Sequence, residues 1–178
     1  MNRKETTAFL SVLLEQEKFS GMAKYWAKEV TLDYGWGKDF EKRVDYMQFK
    51  PENQLSVSGI EKGIFICYEI KSCKADFKSG FGTNFIGEKN YLVMTMETYK
   101  AIMNEIPHNV GVLVPIPKYA DEYEEFKQPT PIAGCASDWK LVTIFPARKQ
   151  IRKRSMAELL FCMLRSSKKG GGGDEEKN

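Results

Sequence analysis

At 178 residues, with 42% hydrophobic and 29% charged side chains, the chain has a globular composition and room for one domain with a true core. A net charge of +3 excludes a surface that is cationic throughout, so any preference for nucleic acid has to come from local clustering. No stretch approaches the ~18 apolar residues of a membrane span, and the N-terminal run Met1-Asn-Arg-Lys-Glu-Thr-Thr lacks a signal-peptide core, so a cytoplasmic protein with no membrane partner is expected.

In chain order, residues 5–18 read as a helix. Ala8, Phe9, Val12 and Leu13 recur at helical spacing, and Thr6 or Thr7 could cap the start. Gly21 interrupts the pattern, Tyr25 to Leu32 reads as a strand, and the glycines of Asp33-Tyr-Gly-Trp-Gly37 mark a turn. A second strand is expected over 42–49, then a polar, turn-rich loop over 50–59. Residues 64–71 carry the β-branched, aromatic and aliphatic composition of a buried strand. After a small, basic stretch from Ser72 to Gly82, Tyr91 to Thr95 reads as a strand and Met96 to Asn104 as a short helix. Val110 to Val114 is a strand stopped by Pro115 and Pro117.

Residues 118–138 have no sustained periodicity and read as a surface excursion before a last strand, Trp139 to Phe145. Pro146 then opens a C-terminal helix reaching about Ser166, with Ile151, Met156, Leu159, Leu160 and Met163 as its apolar stripe. Residues 170–178 are a glycine-rich, acidic tail outside the domain that spans 1–169. This order predicts a mixed α/β domain whose later strands are parallel where a helix separates them.

Within the 64–71 strand, Glu69 and Lys71 fall on one face, roughly 6.6 Å apart along the chain. Each is costly to bury without a partner. Asp45 stands in an earlier apolar stretch, Val44 to Phe49. Two carboxylates on neighbouring strands can hold a hard divalent cation, with waters and a backbone carbonyl, that of Ile70, completing the set. A lysine beside them can orient or deprotonate a water whose pKa the cation has lowered, which is the minimum equipment for hydrolysing a phosphodiester.

Other chemistries are excluded. His108 is the only histidine, in a turn-like Ile106-Pro-His-Asn109, so mechanisms needing two histidines are absent, and no nucleophile elbow accompanies it. Gly82-Thr-Asn-Phe-Ile-Gly87-Glu-Lys89 fails as a Walker A loop because Glu88 occupies the lysine's place. Cys67, Cys73, Cys135 and Cys162 form no Cys-x-x-Cys pair and read as reduced, mostly buried thiols.

These residues resemble the PD-(D/E)xK nuclease superfamily. Arg43-Val-Asp45, Tyr68-Glu-Ile-Lys-Ser-Cys-Lys-Ala-Asp-Phe77, Tyr91-Leu-Val-Met and Asn109 to Val114 are similar to the branch of MmcB-type DNA repair proteins, and to small uncharacterised proteins of Gram-positive bacteria and their phages. The resemblance covers about residues 8–165. It departs at Val44, where the superfamily's name has proline, and in the glycines after Asp76. It implies a restriction-endonuclease-like αβββαβ core, a mixed sheet flanked by helices, and a Mg2+- or Mn2+-dependent nuclease acting on DNA in repair, recombination or phage DNA metabolism. In that frame Asp45, Glu69 and the Ile70 carbonyl bind the metal and Lys71 positions the water. Glu29 supplies an additional acid, with Glu15 and Glu17 as helical alternatives. A non-catalytic DNA-binding module that keeps the fold is the competing expectation.

The C-terminal helix adds Arg148, Lys149, Arg152, Lys153 and Arg154 with no acid among them, a cluster able to hold phosphates, and Lys74 and Lys78 follow the signature strand. The oligomeric state stays open, a homodimer included.

Overall fold

Asn2 starts the first helix. Its side chain accepts from the Glu5 N–H and the Glu5 carboxylate accepts from the Asn2 N–H, each at 2.9 Å, a reciprocal cap that sets α1 at Arg3–Leu14. Thr6 and Thr7, expected as caps, lie inside the helix and turn their hydroxyls back onto the Asn2 and Arg3 carbonyls. The computed structural model describes residues 1–22, 24–33, 42–53, 55–80 and 83–169. Beyond Asp33, the turn expected over 33–37 lies outside these residues, as do Gly82 and the tail 170–178.

A π-helical turn, Glu15–Phe19, follows α1. Next come β1 (Tyr25–Leu32), β2 (Lys42–Lys50), the one-turn α2 (Val57–Glu61) and β3 (Ile64–Lys71). Then α3 (Lys74–Lys78), β4 (Lys89–Met94), α4 (Met96–Ile102), β5 (Gly111–Pro117), α5 (Glu122–Lys127), β6 (Trp139–Phe145) and α6 (Met156–Lys169) complete the order. The six strands form one mixed open sheet in sequence order. β1, β2 and β3 pair antiparallel, β3–β4 and β4–β5 parallel, and β5–β6 antiparallel. The two parallel joins are the ones that α3 and α4 cross, as chain geometry requires.

Helices cover both faces of the sheet. On one, α1 buries Phe9, Leu10 and Leu13 against Tyr46, Tyr68, Ile70, Val93 and Leu113. On the other, α6 covers β1 to β3 through Leu159, Cys162 and Met163, and α4 covers β4 and β5 through Met96, Tyr99 and Ile102. No helix among the described residues is long and apolar enough to cross a membrane.

Other expectations need correction. The loop over 50–59 gives way to α2, because the Ser56 side chain accepts from the Gly59 N–H and caps a turn. β5 runs through Pro115 and Pro117 to the end of its pairing with β6. Lys118 donates its N–H to Asp138, so by alternation the N–H groups that the prolines lack would face away from β6, on the side that β4 has already left. The excursion 118–138 contains α5, and its Ile132 and Ala136 pack against the core. Most consequentially, Pro146 does not open α6. Residues 146–155 form neither helix nor strand and bend at Lys153 and Arg154; the Arg148 and Gln150 N–H groups bond to the Asn109 and Glu88 carbonyls, and α6 begins at Met156. The thiols also divide: Cys67 and Cys162 are buried, Cys73 is half-buried and Cys135 is exposed.

Candidate active site

The site lies where the sheet forks. β2 and β3 pair from Lys50↔Ile64 up to Tyr46↔Tyr68 and no further, although both strands continue. Past the last pair, the Asp45 side chain takes over the ladder and its Oδ2 accepts from the Ile70 N–H at 2.8 Å. The neighbouring pair of strands is irregular at the same level. β1 and β2 pair as Lys28↔Tyr46 and Val30↔Val44, with Glu29 and Asp45 unpaired between them. Glu29 has φ +54°, in the left-handed region that side chains disfavour. Alternation fails on both strands there. Ala27 and Val30, three apart, lie in one core cluster, and so do Val44 and Met47.

The fork opens a cleft of about 840 Å³. Asp45, Glu69, Ile70 and Lys71 line it, Glu29 stands on the β1–β2 side, and Asp76 of α3 closes another. Five of the residues singled out from sequence are therefore gathered in one place. Glu69 and Lys71 are only 2% and 3% exposed, ionisable groups inside the sheet. Neither Glu69 carboxylate oxygen has a hydrogen-bond partner, the only such buried side-chain atoms among the described residues. Burial and the adjacent Asp45 charge push the Glu69 carboxyl up to about 9, and the Lys71 charge, the nearby Asp45 N–H and the Arg43 charge offset only part of that.

Asp76 is held differently. Its Oδ2 accepts from both the N–H and the hydroxyl of Ser72 at 3.0 Å, and its Oδ1 meets Arg3 of α1 at 2.7 Å. Burial raises its carboxyl, but Ser72, Lys71 and Arg3 together outweigh it and hold Asp76 below its ordinary value. Glu15, on the π turn, accepts from the Tyr46 hydroxyl at 2.5 Å and from Lys28 at 3.0 Å. Burial raises Glu15 too, and these two donors bring it below its usual range. Glu17 is exposed. Glu29 is paired with Arg43 at 2.8 Å. Among the described residues, no group of three or more His, Cys, Asp or Glu side chains is placed to hold a metal ion.

The basic residues expected to meet DNA do not line this cleft. Lys74 donates to the Ala101 carbonyl, and Lys74 and Lys78 both reach toward Glu105. Arg152 bonds to buried Glu88 at 2.7 Å, and Arg154 bridges Asp33 and Glu158 at 2.7 and 3.1 Å. Arg148, Lys149 and Lys153 are exposed on the segment before α6. Glu88 also accepts from the Phe65 N–H, so Arg152 stands at the start of β3. The Glu69–Lys71 pair is four to six residues away at its end, roughly 13–20 Å along the strand.

The structure adds cleft residues that sequence did not single out: Arg3, Lys28 and Arg43, with Thr7, Ser11 and Tyr46. Arg43 stood inside the Arg-Val-Asp signature and could have been found by its place two residues before Asp45. Arg3 carried no such signal, because only the docking of α1 brings it near. Compared with family models, curated proteins and solved structures, the chain has no match in any of the three.

Proposed function

We propose that this chain is a metal-dependent phosphodiester hydrolase acting on DNA, of the PD-(D/E)xK kind, with α1, β1 to β3, α3 and β4 as its restriction-endonuclease-like αβββαβ core and a role in repair, recombination or phage DNA metabolism. One observation carries it. A carboxylate only 2% exposed, facing a second carboxylate and with no partner at hydrogen-bonding geometry for either oxygen, is expensive unless it serves a ligand. The donor set suits a hard divalent ion such as Mg2+ or Mn2+: Asp45, Glu69 and the Ile70 carbonyl, all oxygen, with waters completing the coordination.

Bound there, the cation would neutralise charge on the scissile phosphate and lower the pKa of a water. The chain's own residues do the rest. Lys71, buried beside Glu69 and within electrostatic reach of Asp76, orients the attacking water and compensates the charge developing on the phosphate. Glu29 keeps Arg43 at the edge of the cleft until substrate takes its place there. The water's oxygen bonds to phosphorus, the P–O bond to the leaving group breaks, and a proton passes to the leaving oxygen.

Incubation with linear, nicked, branched and single-stranded DNA in Mg2+ or Mn2+ tests this. Cleavage is expected in the wild type, is lost in Glu69→Gln, and falls at least ~100-fold in Lys71→Ala. Cleavage that survives Glu69→Gln overturns the proposal, and cleavage unchanged in Lys71→Ala removes that residue from it.

One observation favours a second reading, a non-catalytic DNA-binding module on the same fold. Among the described residues, no third carboxylate joins Asp45 and Glu69 as a metal-holding group, and Glu15 and Glu29 are each engaged by a cation. Calorimetry separates the two: no heat on adding Mn2+, with DNA affinity intact, selects the module.

A further inference from the structure

The cations of the cleft are arranged unlike those elsewhere on the molecule. Arg3, Lys28 and Arg43 come from three different elements, α1, β1 and β2, and all line the one cleft that holds Glu69. Each is paired with one carboxylate, Asp76, Glu15 or Glu29, at 2.7–3.0 Å. In every pair the cation is the more exposed partner, at 66%, 47% and 63% against 15%, 36% and 51%. By contrast, Arg152 and Arg154 are 24% and 29% exposed and are bonded into the fold. Ion pairs open to water contribute little to stability, so their cations can change partner cheaply. The lining holds five cationic side chains against four carboxylates, and three of those cations are the more exposed ends of their pairs. The cleft therefore favours an anion although its floor contains acids.

We infer that Arg3, Lys28 and Arg43 form the phosphate-binding rim of this site, each exchanging its carboxylate for a backbone phosphate of a DNA strand lying in the cleft, and that the basic segment 148–154 is not the DNA-binding surface. The inference rests on the phosphodiesterase reading for its ligand. The three cations come from three elements, and the inference assigns each its own phosphate of the strand that is cut. Phosphate contacts of this kind position the substrate and carry no sequence information. Glu29, as the most exposed of the three carboxylates, competes with phosphate for Arg43.

The test is binding of the full chain in EDTA to a short fluorescein-labelled single strand and to the matching duplex, by anisotropy over a potassium chloride series. Each phosphate contact contributes about 0.7 to the log–log salt slope on single strands and about 0.9 on duplex. The variant Arg3→Gln/Lys28→Gln/Arg43→Gln is expected to lower the slope by roughly 2 on the single strand. Lys149→Gln/Lys153→Gln is expected to leave it unchanged, and Glu29→Gln to bind several-fold more tightly. If the triple variant does not melt like wild type, Arg3→Gln alone, the most exposed of the three, should still lower the slope by about 0.7.

A wild-type slope in a folded rim variant overturns the inference, as does an equal loss in Lys149→Gln/Lys153→Gln or weaker binding by Glu29→Gln. Metal-dependent cleavage persisting beside such a result leaves the hydrolase reading standing. Rim-dependent binding without cleavage sinks that reading and leaves the rim. A wild type that binds neither DNA overturns the inference outright.

Discussion

Glu69 costs the protein stability in one protonation state and not the other, and that makes its role measurable without substrate. Its carboxyl titrates near 9 in the folded chain against an ordinary 4.5, so between those values the folded chain holds a proton that the unfolded chain has released. Its favourable contribution is complete below about 4.5 and is lost as pH rises toward 9, with a slope of at most ~1.4 kcal/mol per pH unit. Asp76 and Glu15 have the opposite sign. Both are held below their ordinary values, and their contribution is present above that range and lost in acid. Melting of metal-free protein in EDTA is therefore expected to fall between pH 5.5 and 8.5, a window in which Glu69 alone of these three differs in charge between the folded and unfolded chain. Glu69→Gln keeps the shape and removes the titration, so it should flatten that profile and melt at an equal or higher temperature at pH 8. A mutant that melts clearly lower would mean that Glu69 is a structural partner of Lys71, and the metal site would lose its main support.

At the scale of elements, the site depends on a defect in regular structure. A two-residue period carried through β1 and β2 would put Val30 on the same face as Lys28 and Val44 on the same face as Tyr46. Instead the left-handed Glu29 turns the strand over, and both valines join the α6 side of the core. A conformation that costs a side chain ~1–2 kcal/mol is tolerated here because it frees Asp45 to bond to the Ile70 N–H. Strand preference predicts Glu29→Val to be more stable than Glu29→Gly. The observed backbone reverses the order, with Gly the more stable by roughly 1–2 kcal/mol in urea titration; the usual order would show that the strand is not left-handed at this residue.

No residue-type signal marks this break, so β1 and β2 were legible as strands while the reversal of their faces was not. The start of α6 is legible in the sequence. Ser155-Met-Ala-Glu158 has the Ser-x-x-Glu pattern of a helix start, and the Ser155 hydroxyl does accept from the Glu158 N–H at 3.1 Å. Proline at 146 drew the boundary ten residues too early. Ile151, counted into the apolar stripe, is in fact 91% exposed.

For the whole molecule, the segment 146–155 is a strap rather than a helix. It leaves β6, bonds to the Asn109 carbonyl beside β5, crosses to Glu88 at the start of β4, and ends at Arg154 on Asp33 beyond β1. Its charges therefore belong to the architecture as much as to the surface. Sequence could show that five cations cluster there. It could not show that two of them answer acids 64 and 121 residues away, because that pairing exists only once the sheet is assembled. Glu88 is the pivot: 6% exposed, it accepts from the Phe65 N–H through one oxygen and from Arg152 through the other. Truncating Arg152 would leave this carboxylate enclosed with its charge uncompensated, and that loss is costly even where the intact pair adds little. Because Arg152 keeps some solvent contact, Arg152→Ala is expected to cost about 2–3 kcal/mol, below or at the low end of the range for fully buried pairs. Lys153→Ala, one residue along and exposed, should stay within about 0.5 kcal/mol of wild type. Double truncation with Glu88→Gln should recover part of the Arg152→Ala loss, since no buried charge then remains. Urea titrations of the four proteins decide it. If Arg152→Ala is as mild as Lys153→Ala, the strap is not anchored by charge, and the segment returns to consideration as a surface for polyanions.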